Sequence, residues 1–338
     1  MAFELLLLGI AVSLFFAFWN GFTDAANAIS TVVATRVLTP LKAVSLSAAG
    51  NFLGLYVGGA VAVTIWKGLI DENIVSPSLV IAAIVGGLAW DILTWYFGLP
   101  VSETHVLIGG LVGAGIFVGG VAAVIWGSVV NRVLLPMLYS PVIAFFGAFL
   151  FTAAMARLFR GYPPARTNRY FRSLQLVSSF FFSFSHGSQD GQKVVGIIIA
   201  MLAFEGLISS TTTSAPLWTI TSVQIALTLG TLLGGWRIVR TMAMKITKLR
   251  PYQGFSAETS ASILLVSLAQ VGAPVSTTQA IATAIMGVGA TRRLSAVRWG
   301  VARRIVWAWI LTLPASAAFA FVAAALMSAL GFPLLPPP

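Results

Sequence analysis

The sequence predicts an all-α integral membrane protein of about ten transmembrane segments in two inverted-topology repeats, with broken helices and Pro-Val-Ser hairpins. Three observations predict it. Hydrophobic residues make up 58% of the 338 positions and charged residues 9%, and the mean hydropathy is +0.94, whereas a soluble domain carries about 25% charged residues. Apolar runs of helix length recur throughout. A short polar phrase is written twice inside that apolar sequence, as Phe97-Gly-Leu-Pro-Val-Ser-Glu-Thr-His105 and as Val271-Gly-Ala-Pro-Val-Ser-Thr-Thr-Gln279.

Taken in order, the apolar segments of the first half cover 4 to 35, 42 to 66, 78 to 97, 101 to 126 and 133 to 157. Those of the second cover 173 to 203, 217 to 236, 254 to 271, 274 to 290 and 305 to 330. The first segment of each half exceeds the roughly 20 residues of a simple span. Each has a polar motif near its middle, Asn20-Gly-Phe-Thr-Asp24 and His186-Gly-Ser-Gln-Asp190, so each is expected to be a broken helix. The fourth segments open on Pro-Val-Ser and either span the membrane or are re-entrant. Pro and Gly remove backbone hydrogen bonds that lipid cannot replace, so a Gly-x-Pro-Val-Ser-x-Thr run must line a protein cavity. A break duplicated in both halves points to a transporter's binding site. The chain therefore divides into 1–157, a basic linker at 158–172, and 173–338.

Internal alignment supports the duplication. Residues 97 to 115 match 271 to 289 at Gly98/Gly272, Pro100/Pro274, Val101/Val275, Ser102/Ser276, Thr104/Thr278, Gly113/Gly287 and Gly115/Gly289. Composition alone would match small residues but not Pro-Val-Ser-x-Thr in register.

Charge orients the chain. The formal charge is +11, and 15 of the 20 Lys and Arg lie in three runs, Arg157 to Arg172, Arg237 to Arg250 and Arg292 to Arg304. Short basic loops between apolar segments are cytoplasmic by the positive-inside rule and are not a nucleic-acid surface. With all three runs inside, five crossings separate the central loop from each terminus, and both termini fall outside the cell membrane. An odd number of crossings per half makes the repeats antiparallel. There is no cysteine, which excludes disulfides and thiolate metal sites. The N-terminal Met-Ala-Phe-Glu lacks the positive region of a signal peptide and is expected to open the first membrane segment.

The acids carry the functional reading. Asp24, Asp91, Glu103, Asp190 and Glu258 lie in or beside apolar segments, where a charge costs at least about 2.5–3.5 kcal/mol and therefore faces a cavity, an ion path or a partner. Lys193, three residues after Asp190, either pairs with it or binds an anion. Both histidines, His105 and His186, fall within the motifs and are candidate proton relays or packing hydrogen-bonders. Ser102, Thr104, Ser276, Thr277 and Thr278 sit where helices start after proline; unpaired N–H groups and hydroxyl donors there make a dehydrated anion site. Two such sites facing each other would enclose a tetrahedral oxyanion, and the Asp24 and Asp190 carboxylates would hold the accompanying cations.

Together, Asn20-Gly-Phe-Thr-Asp-Ala-Ala-Asn27, Ser185-His-Gly-Ser-Gln-Asp-Gly-Gln-Lys193, Pro100-Val-Ser-Glu-Thr-His105 and Pro274-Val-Ser-Thr-Thr-Gln279 resemble the paired motifs of the inorganic phosphate transporter (PiT) family. Four motifs in order over nearly the whole chain make the resemblance specific. It implies gradient-driven phosphate transport without an organic cofactor, inverted repeats and a homodimer; the family also includes sulfate permeases and carriers of metal-phosphate complexes. Carried over by residue, it implies phosphate on Ser102, Thr104, Ser276, Thr277 and Thr278. It makes Asp24, Asn27 and Asp190 substrate and cation ligands, with sodium as the metal there. Gln189, Glu258 and Glu103 join them in cation coupling. The chain departs from the family pattern at Thr23, Gln189, Lys193, Gln279 and Glu103. Amide oxygens suit sodium whereas His186, Glu103 and Lys193 suit protons, so Na+ and H+ both stand as the coupling ion.

The expected function is phosphate import by cation symport. A sulfate permease on the same scaffold is the nearest alternative, since both anions are tetrahedral, and an anion channel is the next. Ser102 and His105 are three apart with no third group to orient them, so nothing resembles a hydrolytic triad.

Overall fold

A computed structural model describes residues 2–57, 59–209 and 214–334. Among these the regular structure is helical. Twelve helices fall six to a half. The first half holds α1 (Ala2–Ala34), α2 (Pro40–Gly54), α3 (Ala60–Lys67), α4 (Pro77–Tyr96), α5 (Glu103–Gly119) and α6 (Trp126–Leu158). The second holds α7 (Pro164–Phe204), α8 (Leu217–Leu233), α9 (Trp236–Lys245), α10 (Pro251–Gln270), α11 (Thr277–Ala290) and α12 (Trp299–Ala329). Helix lengths in the two series run in parallel: long, short, short, medium, short, long.

The expected break lies elsewhere. Both α1 and α7 run unbroken through their motif glycines. A glycine inside a helix keeps its backbone hydrogen bonds, and here it serves close approach: a Cβ at Gly21 would overlap the Leu227 carbonyl of α8, and one at Gly187 would overlap the Asn51 backbone of α2. The second segment of each half is the broken one. Segment 42–66 divides into α2 and α3, and its counterpart bends by 55° between α8 and α9. The basic linker is also shorter than expected, because Pro163 and Pro164 start α7 and leave 159–163 as the connection. Proline at the first helical position costs nothing, since its missing N–H would be unpaired there.

The repeated Pro-Val-Ser phrase is a helix stop followed by a helix start. Gly98 and Gly272 take φ of +66° and +70°, the left-handed region that only glycine enters without strain. Around them, Gly98 N–H donates to the Trp95 carbonyl (2.9 Å) and Leu99 N–H to Thr94 (3.0 Å), while Gly272 donates to Ala269 (3.0 Å) and Ala273 to Leu268 (3.0 Å). This paired pattern closes α4 and α10 as Schellman caps. Pro-Val then passes outside any helix, and the Ser102 and Ser276 hydroxyls accept the His105 and Gln279 N–H groups as N-caps of α5 and α11.

Among the described residues four helices are long and apolar enough to cross a membrane: Phe3–Ala34, Pro77–Tyr96, Trp126–Leu158 and Trp299–Ala329; the bent α8–α9 pair makes a fifth. At about 1.5 Å per residue, α5 and α11 are about 26 and 21 Å long, less than the roughly 30 Å of a bilayer core. The halves interlock. Helix α12 packs on α4 and α5 while α6 packs on α10 and α11, and α1 lies on α8 as α7 lies on α2. Two apolar cores result, one including Leu79, Ile84, Leu107 and Ile108, the other including Ile238, Leu265, Ile281 and Ile285.

Candidate functional site

Helices α1 and α7 touch along their middles, and each carries a polar stripe at helical spacing. On α1 it is Asn20, Asp24, Asn27 and Thr31, continued by Thr35 just past its end; on α7 it is Gln175, Ser179, Ser183, His186, Asp190 and Lys193. Steps of three and four residues keep such positions on one face. All of these residues are buried. The stripes face one another, with the Ser179 hydroxyl donating to the Ala28 carbonyl at 3.3 Å.

Where they meet, the starts of α5 and α11 close in and build one polar cluster. Thr278 Oγ1 donates to Asp24 Oδ1 (3.1 Å) and accepts from Asn27 Nδ2 (3.0 Å). Thr277 Oγ1 donates to Asp190 Oδ2 at 3.2 Å and lies 3.5 Å from Asp24 Oδ2. His186 Nε2 stands 3.1 Å from Asp190 Oδ2 and 3.8 Å from Asp24 Oδ2, while its Nδ1 meets Asn51 Oδ1 at 3.0 Å. Lys193 forms an ion pair with Asp190 and donates to Thr104 Oγ1 (2.5 Å) and the Val275 carbonyl (3.2 Å). Asp24, His186 and Asp190 each present a ligand atom within 4.8 Å of the others, close enough to share one cation.

The sequence-derived candidates thus separate. Asp24, Asn27, Asp190, His186, Thr104, Thr277 and Thr278 come together in the cluster. Ser102 and Ser276 adjoin it as caps whose hydroxyl protons remain free to donate. Gln189 turns away: its Nε2 donates to the Leu265 and Ala273 carbonyls (3.1 and 3.5 Å) and its Oε1 is buried without a partner. His105 also stays out of the cluster, its Nδ1 buried and unpartnered.

Two further buried acid sites flank the cluster. Glu258 on α10 accepts from the Thr31 and Ser178 hydroxyls and from Gln175 Nε2 (3.4 Å); Thr35 continues the chain to Gln175 Oε1 at 2.9 Å. Thr31 is one turn past Asn27 and Ser178 two turns before His186, so Glu258 is displaced along the α1–α7 seam. On the other side Glu103 accepts from Thr23 Oγ1 (2.7 Å), and its carboxyl lies within hydrogen-bonding reach of Asp91, which also accepts from Trp19 and Thr94.

Sequence reading did not assign Asn51, which orients His186 and donates to Thr231 Oγ1 at 2.9 Å, nor Thr31, Gln175 and Ser178. Asn51 is a lone amide in apolar sequence beside Gly50, with no repeated motif to mark it. The cluster offers hydroxyl and helix-start donors for a tetrahedral oxyanion, and carboxylates for a cation or for an oxyanion that still bears a proton. Among the described residues of the cluster, no general base is aligned on a nucleophile.

The family described as "Phosphate transporter family" matches residues 20–320. A probable low-affinity inorganic phosphate transporter of Rhizobium meliloti (strain 1021) is 48% identical over 318 residues, covering 94% of this chain and 95% of its own. One of the same description from Bacillus subtilis (strain 168) is 37% identical over 321 residues, covering 94% and 96%. A solved structure, "The sodium-dependent phosphate transporter", superposes with a TM-score of 0.83 over 96% of this chain and 99% of its own, at 24% identity, and thereby shares the fold. The chain is a multi-pass membrane protein and belongs to the phosphate transporter family.

Proposed function

We propose that the protein imports inorganic phosphate by symport with a cation, Na+ or H+, through alternating access at the cluster between its two halves. The observation that carries this reading is the pair of hydroxyls at the start of α11: Thr277 and Thr278 bond directly to Asp190 and Asp24, joining an anion-type helix start to cation-type carboxylates. An anion entering beside two carboxylates requires positive charge to enter with it, since opposed charges are expensive to separate in a buried site. The same carboxylates favour phosphate over sulfate, because phosphate keeps a proton to donate to them at neutral pH and sulfate does not.

Around this site the parallel series of helices reads as two inverted-topology repeats, 1–157 and 173–338. Each crosses five times if the α2–α3 and α8–α9 pairs are single broken spans. Both termini then lie outside a cell membrane with the basic loops inside. Glu258 and Glu103 serve cation coupling from either flank, and His186, held in place by Asn51, is a proton relay beside the Asp190 and Asp24 carboxylates; His105 is the weaker relay candidate. Sodium, if it is the ion, takes Asp24, Asn27 and Asp190; the substrate enters free or as a metal-phosphate complex. The working form is a homodimer in lipid, and no organic cofactor is needed.

Radiolabelled phosphate uptake into proteoliposomes tests this under an imposed sodium gradient, an imposed proton gradient, or neither, with excess sulfate as competitor. Accumulation driven by one gradient and resisted by sulfate is expected. Loss of the signal to sulfate moves the reading to a sulfate carrier, and equilibration without any gradient moves it to a channel.

A further inference from the structure

Asn27 and Lys193 occupy matching places. Each follows its motif aspartate by three residues, Asp24 in one half and Asp190 in the other. Each bonds to the threonine that matches across the Pro-Val-Ser alignment: Asn27 Nδ2 donates to Thr278 Oγ1 at 3.0 Å, and Lys193 Nζ donates to Thr104 Oγ1 at 2.5 Å. The two corners differ in charge. In the first, Asn27 Oδ1 is fully buried and has no hydrogen-bond partner, an acceptor left open beside the Asp24 carboxylate. In the second, the three ammonium protons meet three acceptors: Asp190 Oδ1, Thr104 Oγ1 and the Val275 carbonyl. Lys193 is also the single Lys or Arg that is buried among the described residues.

We propose that Lys193 is a tethered cation standing where a diffusible one would otherwise bind, so that the protein carries one coupling cation in its own chain and draws only the other from solution, at the Asp24–Asn27 corner. The inference rests on the transport reading above. An ammonium and a sodium ion carry the same charge, and the oxygens around Nζ are the ligand type that hard monovalent cations take. Fixing one cation in the chain removes its contribution to the driving gradient. Uptake then depends on a single free cation, and Lys193 sets the stoichiometry without binding the anion.

The test replaces Lys193 by the residue of the matching corner. Lys193→Asn places an amide oxygen beside Asp190, Thr104 and Val275 and opens the corner to solvent cations. The full-length protein in detergent is melted against rising NaCl at constant ionic strength with choline, without phosphate. Sodium is expected to raise the Tm of Lys193→Asn by more than about 2 °C beyond its effect on wild type, and Lys193→Arg, which keeps the charge, is expected to gain no such extra sodium response. In proteoliposomes, uptake by Lys193→Asn in choline medium should fall at least about tenfold and return with sodium, with the Hill coefficient for the driving cation rising above that of wild type. A Lys193→Asn protein that unfolds in choline and folds in sodium is the extreme form of the same result. One that melts alike in both media, is unfolded in both, or loses uptake that no monovalent cation restores overturns the proposal. The melting experiment needs no transport, so failure of wild type to accumulate phosphate under any gradient counts against the transport reading alone.

Discussion

The two halves of the central cluster use the same scaffold and fill it differently. Each contributes a long helix with a glycine packed against a neighbour's backbone, an aspartate three residues before the side chain that completes its corner, and a Ser-capped helix start bearing threonine. The first half completes its corner with a neutral amide, Asn27, and sets the acid pair Asp91 and Glu103 behind it. The second completes its corner with the Lys193 ammonium, adds His186, and has Thr277 at the position that matches Glu103. Backbone geometry, the Schellman stop and the serine cap are what the two halves share. Charge is where they differ. The difference teaches that helix-stop chemistry builds the site, while a few side chains decide which ions enter it.

That comparison breaks most sharply at the aspartates. Asp190→Asn strips Lys193 of its carboxylate and leaves a buried ammonium, for which the cost of breaking a buried pair is about 3–5 kcal/mol; Asp24→Asn has no lysine to orphan. The expected outcome is a much lower Tm for Asp190→Asn than for Asp24→Asn, largely recovered in the Asp190→Asn/Lys193→Asn double variant. Equal losses in the two single variants would show that the corners are not differently charged.

The glycines sharpen it at a smaller scale. Gly21→Ala and Gly187→Ala each force a methyl into a facing backbone, at about 1–3 kcal/mol or more apiece, and similar shifts in a denaturation midpoint are expected from both. A silent Gly21→Ala would mean that the α1–α8 approach is looser than its α7–α2 counterpart. Smallest are the caps: Ser102→Ala and Ser276→Ala should each cost about 1 kcal/mol, and a raised KM for phosphate in both would add an anion contact to the capping role. Glu258→Gln separates function from stability. It keeps one acceptor oxygen for a hydroxyl and turns an amide N–H toward the other, whose oxygen can accept it, and so should leave Tm nearly unchanged while gradient-driven accumulation falls; retained accumulation would return Glu258 to a packing role.

Much of this architecture was legible in the sequence. Composition pointed to the membrane, and the Gly-x-Pro-Val-Ser-x-Thr phrase to the helix stops, because φ above zero at glycine and the missing N–H of proline leave few alternatives. The motif aspartates and threonines converge as their spacing implied. The unbroken course of α1 and α7 was not legible, since a glycine that admits a neighbouring backbone reads the same in one dimension as a glycine that breaks a helix. Nor were the separate destinations of Gln189 and Glu258. Both are polar residues in apolar helices, and only the three-dimensional seam shows that Gln189 bonds to carbonyls at the end of α10 while Glu258 sits beyond the cluster with Thr31 and Ser178. Asn51 was passed over because one amide in an apolar helix carries no pattern.

The most direct test of the account is accumulation of phosphate by Asp24→Asn beside wild type, in proteoliposomes under whichever cation gradient drives the wild-type protein. Asp24 is the carboxylate of the corner left open to a free cation, so the account predicts wild-type phosphate rising above equilibrium and Asp24→Asn, inserted at the same level, failing to exceed it. Undiminished gradient-driven accumulation by Asp24→Asn would contradict the claim that cation and anion are coupled at this cluster.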